Sequence, residues 1–333
     1  IDKLEELKMK VINGYVIDGD LKTDNSGFSK WAFAKKNGCD YFIKEFLAPV
    51  YPVDESLFGP EMTARKRKIC EKYENRSVSL YSTLNEASDG NLVNICEFFR
   101  CGTKYYMTME KIRGIGWETI GNLCEQEKLK LCRILAHSVY RLHENGIVHG
   151  DLKPENILLK RLESGAVTAK LIDFDNCFWE SEVLPANKEI HGDPVYFAPE
   201  TARAIIGDED KRLSVKIDVF ALGLIFHQIL TGELPDFDHD KYHYVFEALL
   251  DKGEVRLRHI TDSGNRMILE KMLVPDPEKR ISLAEFLEKW EDLEPDRESS
   301  SKLILHLTSN VSEKSEENTG NGEEFFYTAG DLQ

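Results

Sequence analysis

His149-Gly150-Asp151-Leu152-Lys153-Pro154-Glu155-Asn156 is followed by Leu171-Ile172-Asp173-Phe174-Asp175, with Asp173 standing 17 residues after Asn156. The two stretches put a carboxylate, an ammonium and an amide in one short loop, and a second carboxylate at the end of an apolar strand-like run. Moving a phosphoryl group asks little covalent chemistry of a protein. It asks for a carboxylate to orient the attacking hydroxyl and for oxygen ligands to a metal that bridges the phosphates. Asp151 suits the first role, and Asn156 with Asp173 suits the second. Lys153 stands two residues beyond Asp151 and can set a positive charge beside the migrating group.

These two motifs resemble the catalytic loop and the metal-binding motif of the eukaryotic-type (Hanks-type) protein kinases. A Lys at position 153 resembles the Ser/Thr-specific branch. His-Gly-Asp and Ile-Asp-Phe-Asp are also similar to small-molecule kinases of the aminoglycoside and choline type, so the later motifs have to decide. Gly192-Asp193-Pro194-Val195-Tyr196-Phe197-Ala198-Pro199-Glu200 resembles the peptide-positioning loop that closes the activation segment. Asp218-Val219-Phe220-Ala221-Leu222-Gly223 resembles the buried helix whose Asp anchors the catalytic loop, and Thr231-Gly232-Glu233-Leu234-Pro235 follows it. Asp276-Pro277-Glu278-Lys279-Arg280-Ile281-Ser282 resembles the family's last motif, which implies a structural ion pair between Arg280 and Glu200. Small-molecule kinases lack this trio.

Working back toward the N-terminus, Tyr41-Phe42-Ile43-Lys44-Glu45-Phe46 looks like the strand whose Lys holds the α- and β-phosphates. Phe42 and Phe46 alternate with Lys44, so the three share a face that is expected to be buried. A buried cation wants an anion. A helix is predicted over residues 61–87, with Ile69, Tyr73, Leu80 and Leu84 on one face. Glu74 lies near the edge of that stripe and Glu71 points away, which makes Glu74 the expected partner of Lys44. Tyr106 to Ile112 resembles the strand and hinge that receive adenine, with Met109 gating and the backbones of Glu110 and Ile112 bonding the base. The glycine-rich loop of the family is reduced to Asp24-Asn25-Ser26-Gly27-Phe28-Ser29-Lys30-Trp31, with Ser26, Gly27 and Phe28 as its phosphate-cradling residues.

Further strands are expected at 31–34, 41–46, 92–100 and 104–110, the first two joined by the turn Lys36-Asn37-Gly38. From Glu127 onward the pattern is mainly helical. The resemblance implies an α+β, bilobal protein-kinase fold, with a small antiparallel-sheet N-lobe carrying one long helix and a larger helical C-lobe. The expected domains are an N-lobe over 1–110, a C-lobe over 111–290 and an acidic tail over 291–333.

The 333 residues carry 59 acidic and 43 basic side chains, a net charge of −16. That balance argues against nucleic acid as the main partner. The tail alone, with eleven acidic and three basic residues, supplies half of the excess, and it is a candidate surface for a partner. Within it, Leu303, Leu305 and Leu307 alternate like a short strand. The seven cysteines are odd in number and irregularly spaced, which points away from a disulfide framework and toward a reducing compartment. No apolar run reaches the ~20 residues of a membrane span. The start Ile1-Asp2-Lys3-Leu4-Glu5-Glu6 lacks the pattern of a secretory leader, so a cytoplasmic location is the expectation.

The resemblance implies an ATP- and Mg2+-dependent enzyme that phosphorylates Ser/Thr of a protein substrate, or of itself. The alternatives are a pseudokinase acting as a nucleotide-binding scaffold and a small-molecule kinase on the same frame. Retention of Lys44, Asp151, Asn156 and Asp173 weighs for the enzyme. Four departures from the family pattern stand out. Gly150 replaces an Arg, leaving no cation there for an activation-loop phosphate. Between Asp173 and Glu200 the only hydroxyl residues are Ser181 and Tyr196. Asp175 replaces the flexible Gly after Asp-Phe. Asp193 stands where Ser/Thr kinases carry Thr. Its carboxylate would face that of Asp151, bridged by Lys153, or else swing out into solvent.

Overall fold

The computed structural model describes residues 10–23, 29–54, 58–182, 191–207 and 213–293. These fall into two compact units. One is built from residues up to Glu86 plus Val93–Arg113, and the other from Ala87–Leu92 plus the chain from Gly114 onward. The tail beyond residue 293, including Leu303, Leu305 and Leu307, lies outside the described residues, as do Ser26, Gly27 and Phe28.

The first unit is a six-stranded antiparallel sheet and one long helix. In chain order the elements are β1 (Val11–Ile12), β2 (Tyr15–Lys22), β3 (Ser29–Lys36), β4 (Cys39–Phe46), α1 (Pro60–Ala87), β5 (Ile95–Cys101) and β6 (Lys104–Glu110), arranged in the sheet as β1-β2-β3-β4-β6-β5. Asn-Gly pairs make two of the hairpins. Asn37 and Gly38 sit at φ +52° and +81°, and Asn13 and Gly14 at +49° and +83°, the doubly left-handed geometry of a two-residue turn that matches strand twist.

Register assigns the sheet's two faces. Ile12, Tyr15, Ile17, Ala32, Ala34, Ile43 and Tyr106 form one apolar cluster. The opposite face carries Lys44, which pairs with Trp31 on β3 and Met107 on β6, and Phe42, which pairs with Phe33 and Met109. One end of this second face is covered by α1, where Tyr73 meets Phe46 and Tyr105 edge-on at 6.1 and 5.2 Å. The buried stripe of α1 runs through Thr63, Cys70, Ser77, Leu80, Tyr81, Leu84 and Ala87. Ile69 is a correction to the sequence reading: it sits at the margin of that stripe and is 51% exposed.

The second unit is mainly helical, with α2 (Glu125–Glu144), α3 (Pro199–Ile206), α4 (Lys216–Thr231), α5 (Val245–Leu250), α6 (Ser263–Met272) and α7 (Leu283–Leu293). Two small ribbons interrupt the helices. β7 (Ile147–Val148) pairs with β10 (Phe178–Trp179), and β8 (Ile157–Arg161) pairs with β9 (Val167–Leu171). Nearly every side chain of α4 from Ile217 to Ile229 is buried, as expected of a helix that is apolar all round and central to its unit.

Candidate active site

The loop from His149 to Asn156 leaves β7 and enters β8, and the segment from Ile172 to Cys177 leaves β9 and enters β10. The two ribbons therefore hold both sequence motifs side by side. Ile172 N–H donates to Asn156 O at 3.0 Å, which seats Asp173 next to the end of the loop. Asp173 has φ +60°, a left-handed conformation that an Asp tolerates better than most residues.

Beneath the loop lies Asp218 of α4, 1% exposed. Its carboxylate accepts the N–H groups of His149 at 2.8 Å and Gly150 at 3.0 Å, and it also meets His143 Nε2 at 3.0 Å. A buried carboxylate needs such donors to offset the loss of water. Asp218 thus fixes the backbone just ahead of Asp151, as the resemblance implies.

Asp151 is ringed by donors. Its Oδ2 accepts from Asn156 Nδ2 and Asn176 Nδ2, each at 3.3 Å, and lies 3.5 Å from Lys153 Nζ. Its Oδ1 accepts the backbone N–H of Asp193 at 3.3 Å. The site thus gathers Asp151, Lys153 and Asn156 as expected, and adds Asn176 and the Asp193 backbone. Asn176 carries no signal in the sequence, since only the pairing of β7 with β10 brings residue 176 back to residue 151.

Asp193 corrects the sequence reading. Its carboxylate makes no bridge to Lys153: Oδ1 accepts the Val195 N–H at 2.9 Å and caps the short helical turn Pro194–Tyr196. Lys153 pairs with Asp151 instead. Gly192, at φ +149°, permits this close approach: a Cβ there would stand 2.6 Å from the Phe197 ring and 3.4 Å from Asp151 Oδ1.

Asn156 gives the test of whether the residues fit a metal. Its Nδ2 donates to Asp151 O at 2.7 Å as well as to the Asp151 carboxylate, which turns Oδ1 the other way. That Oδ1 is buried and has no hydrogen-bond partner. A buried acceptor left unsatisfied is costly, and an amide oxygen of this kind is a ligand suited to a hard divalent cation. The Asn156 amide oxygen therefore fits the role of a ligand to a hard divalent cation.

Farther down the chain, Arg280 and Glu200 form the expected pair. Their two contacts run in parallel at 2.6 and 2.9 Å, a bidentate fork, with Arg280 1% exposed. Arg280 also donates to the carbonyls of Val274 at 2.9 Å and Lys216 at 2.7 Å, so together with the fork it ties Glu200, at the end of the Gly192–Glu200 stretch, to the last motif.

In the first unit Lys44 is 6% exposed, on the sheet face that α1 partly covers. Glu74 projects from α1 toward the same face. Its carboxylate accepts the Tyr105 hydroxyl at 2.7 Å and lies 3.7 Å from Arg100 Nε. Burial, followed by this bond to Glu74, pushes the Tyr105 hydroxyl well above the usual tyrosine range, so it remains a donor. At the end of β6, Glu110 N–H reaches Asn94 O at 3.4 Å, and Ile112 is half-buried beyond it.

The protein kinase domain model matches residues 62–290. The chain belongs to the protein kinase family. The match begins within α1, so β4 and its Lys44 precede it. Among curated protein kinases, the chain is 29% identical over 300 residues to "Protein kinase kin1" of Schizosaccharomyces pombe, covering 86% of this chain and 31% of that protein. It is 30% identical over 239 residues to "CBL-interacting protein kinase 21" of Oryza sativa subsp. japonica, covering 68% and 42%. With the "Probable serine/threonine-protein kinase PknB" of Lactococcus lactis it shares 28% over 205 residues, covering 58% and 31%. The chain thus spans 31–42% of these kinases' own length. Among the described residues, no helix is long and apolar enough to cross a membrane.

Proposed function

We propose that this protein kinase transfers the γ-phosphate of ATP to Ser or Thr hydroxyls of a protein substrate. The observation that carries this reading is the Asp151 carboxylate, held in one orientation by Asn156, Asn176, Lys153 and the Asp193 N–H, beside the unpartnered Asn156 Oδ1.

Asp151 accepts the proton of the attacking hydroxyl as the new O–P bond forms. The bond from the γ-phosphorus to the bridging oxygen breaks, and ADP leaves. Lys153 lies against Asp151 and offers positive charge to the transferring oxygens. Asn156 and Asp173 would hold Mg2+, which would supply positive charge against the phosphate oxygens. Lys44 takes the role of pairing the α- and β-phosphates, with Glu74 holding it from α1. The Glu110 amide is engaged by Asn94 O, so the base would meet the Glu110 carbonyl and the Ile112 backbone. Ser26, Gly27 and Phe28 would cover the phosphates.

The buried Arg280–Glu200 fork favours a peptide hydroxyl over a small-molecule one, because it braces the stretch that resembles the family's peptide-positioning loop. The seven free cysteines suit a reducing, cytoplasmic setting. The acidic tail is a candidate surface for a further partner.

The test is a labelled γ-phosphate transfer assay on the purified chain with MgATP and a generic basic protein substrate. Transfer to Ser/Thr that disappears in Asp151→Asn supports the reading. Wild-type protein that transfers no label to itself or to the substrate at millimolar ATP would overturn it.

A further inference from the structure

The face of the sheet that carries Lys44 ends in three aromatic rings. Register places Phe42 two residues before Lys44 on β4, opposite Phe33 on β3 and Met109 on β6, while Trp31 lies opposite Lys44. The rings close on one another. Trp31 stacks on Phe42 at 5.6 Å with planes 14° apart, Trp31 meets Phe33 at 5.6 Å, and Phe33 meets Phe42 at 6.2 Å, the last two near edge-on. Two cations cap the group from its margins. Lys22 Nζ sits 4.8 Å from the Trp31 ring centre, and Lys111 Nζ sits 4.4 Å from that of Phe33. Trp31 is 6% exposed.

The location gives the cluster its meaning. Tyr41, the neighbour of Phe42, pairs with Glu110, where the base is read to bind, and Lys44 is where the phosphates are read to bind. Phe42 therefore stands between the two ends of the nucleotide, on the same face. A base laid flat against a sheet needs side chains that leave it room, whereas each of these rings is itself as bulky as a base. Trp31 takes one face of Phe42, and Lys22 and Lys111 sit over Trp31 and Phe33, which leaves less ring face for a base to stack on.

We propose that Trp31, Phe33 and Phe42 form a closed aromatic plug on the Lys44 face, one that the adenine base has to displace. The proposal rests on the nucleotide reading of Lys44 and Glu110 given above. Apparent affinity falls by the fraction of molecules whose plug is open. The plug thereby makes the base contribute little to ATP binding, although the phosphate and metal residues are intact. Segments that shift Lys22 or Lys111 would open it.

The experiment is isothermal titration calorimetry of the full chain with MgATP and, separately, with magnesium tripolyphosphate, which has no base. In the wild type the two should bind within about threefold of each other. In Phe42→Ala, MgATP should bind at least tenfold more tightly while tripolyphosphate is unchanged. Phe42→Val and Trp31→Leu are milder openings that should move in the same direction, and the wild-type comparison holds even if a variant fails to fold. If wild-type protein prefers MgATP to tripolyphosphate by more than tenfold, and Phe42→Ala leaves that preference alone, the plug is wrong and the nucleotide site stands. If neither ligand binds wild type or variant at millimolar concentration, the nucleotide reading falls and takes the plug with it.

Discussion

Asp193 turns its backbone toward Asp151 and keeps its carboxylate for itself. The N–H of Asp193 lies 3.3 Å from Asp151 Oδ1, while its own Oδ1 accepts the Val195 N–H at 2.9 Å. The contact with the Asp151 carboxylate is thus made by an atom that every residue except proline possesses. The side chain acts only as a cap on the Pro194–Tyr196 turn. Asp193→Thr should therefore keep both the cap and the phosphotransfer rate, since Thr can cap as well. Asp193→Ala should lose the cap, at about 0.5–2 kcal/mol of local stability, and still transfer phosphate within about tenfold of wild type. Steady-state rates together with thermal melts check this. A loss of a hundredfold or more in either folded variant would assign the Asp193 carboxylate a positive role in catalysis or substrate binding.

Asp151 and Asp173 should separate cleanly in mutants. Asp151→Asn keeps a polar group among the same neighbours but removes the proton acceptor, so transfer should fall by roughly 10²–10⁴, the range typical of a general base. MgATP binding should remain within a few-fold. Asp173→Asn should instead remove the dependence of nucleotide binding on magnesium. Single-turnover transfer and calorimetry with and without Mg2+ distinguish the two. Wild-type rates in Asp151→Asn would refute the base assignment.

The Arg280–Glu200 fork predicts a purely structural phenotype. Arg280→Ala leaves the Glu200 carboxylate buried without its partner, a change worth about 3–5 kcal/mol. For a unit of this size that corresponds to a melting point lower by roughly 10 °C. Arg280→Lys keeps the charge but cannot make two parallel contacts, and should fall between. A circular-dichroism melt of Arg280→Ala within 2 °C of wild type would show that the pair does not brace the loop.

The candidate site was legible because its chemistry is packed into eight consecutive residues, His149 to Asn156, and needs no tertiary contact to be noticed. The burial of Lys44 followed from its alternation with Phe42 and Phe46 on one strand. What escaped depends on partners distant in sequence. Asn176 reaches Asp151 only through the pairing of Val148 with Phe178. The ring cluster required the register that sets Trp31 against Lys44 and Phe33 against Phe42, which no single strand reveals. The hairpin at Asn13-Gly14 carried its own signal, an Asn-Gly pair, but the flanking strand β1 is two residues long and shows no period. Periodicity places Ile69 on the buried face of α1 because it fixes a stripe's direction but not its margin.

Activity independent of activation-loop phosphorylation is the last expectation, and Gly150 supplies its structural reason. Gly150 adopts φ +78°, and a Cβ there would stand 3.0 Å from Asn176 O and 3.2 Å from the Phe178 ring. The position that could carry a cation for a loop phosphate is thus closed by backbone conformation and by the residue that donates to Asp151. Ser181 is exposed in the turn just after β10, where Glu182 N–H bonds Trp179 O at 2.7 Å. That turn is already closed by its own backbone and needs no phosphate to order it. Phosphatase treatment and Ser181→Ala should each leave the transfer rate within about threefold of untreated wild type. Gly150→Arg should lower stability, because the left-handed backbone and the close approach to Asn176 both oppose a side chain, and should confer no dependence on loop phosphate. The assay is the initial rate of label transfer after phosphatase treatment, with intact-mass analysis to verify that the loop is bare. A tenfold or greater loss on dephosphorylation would place a phosphate receptor elsewhere in the second unit and overturn the role given to Gly150.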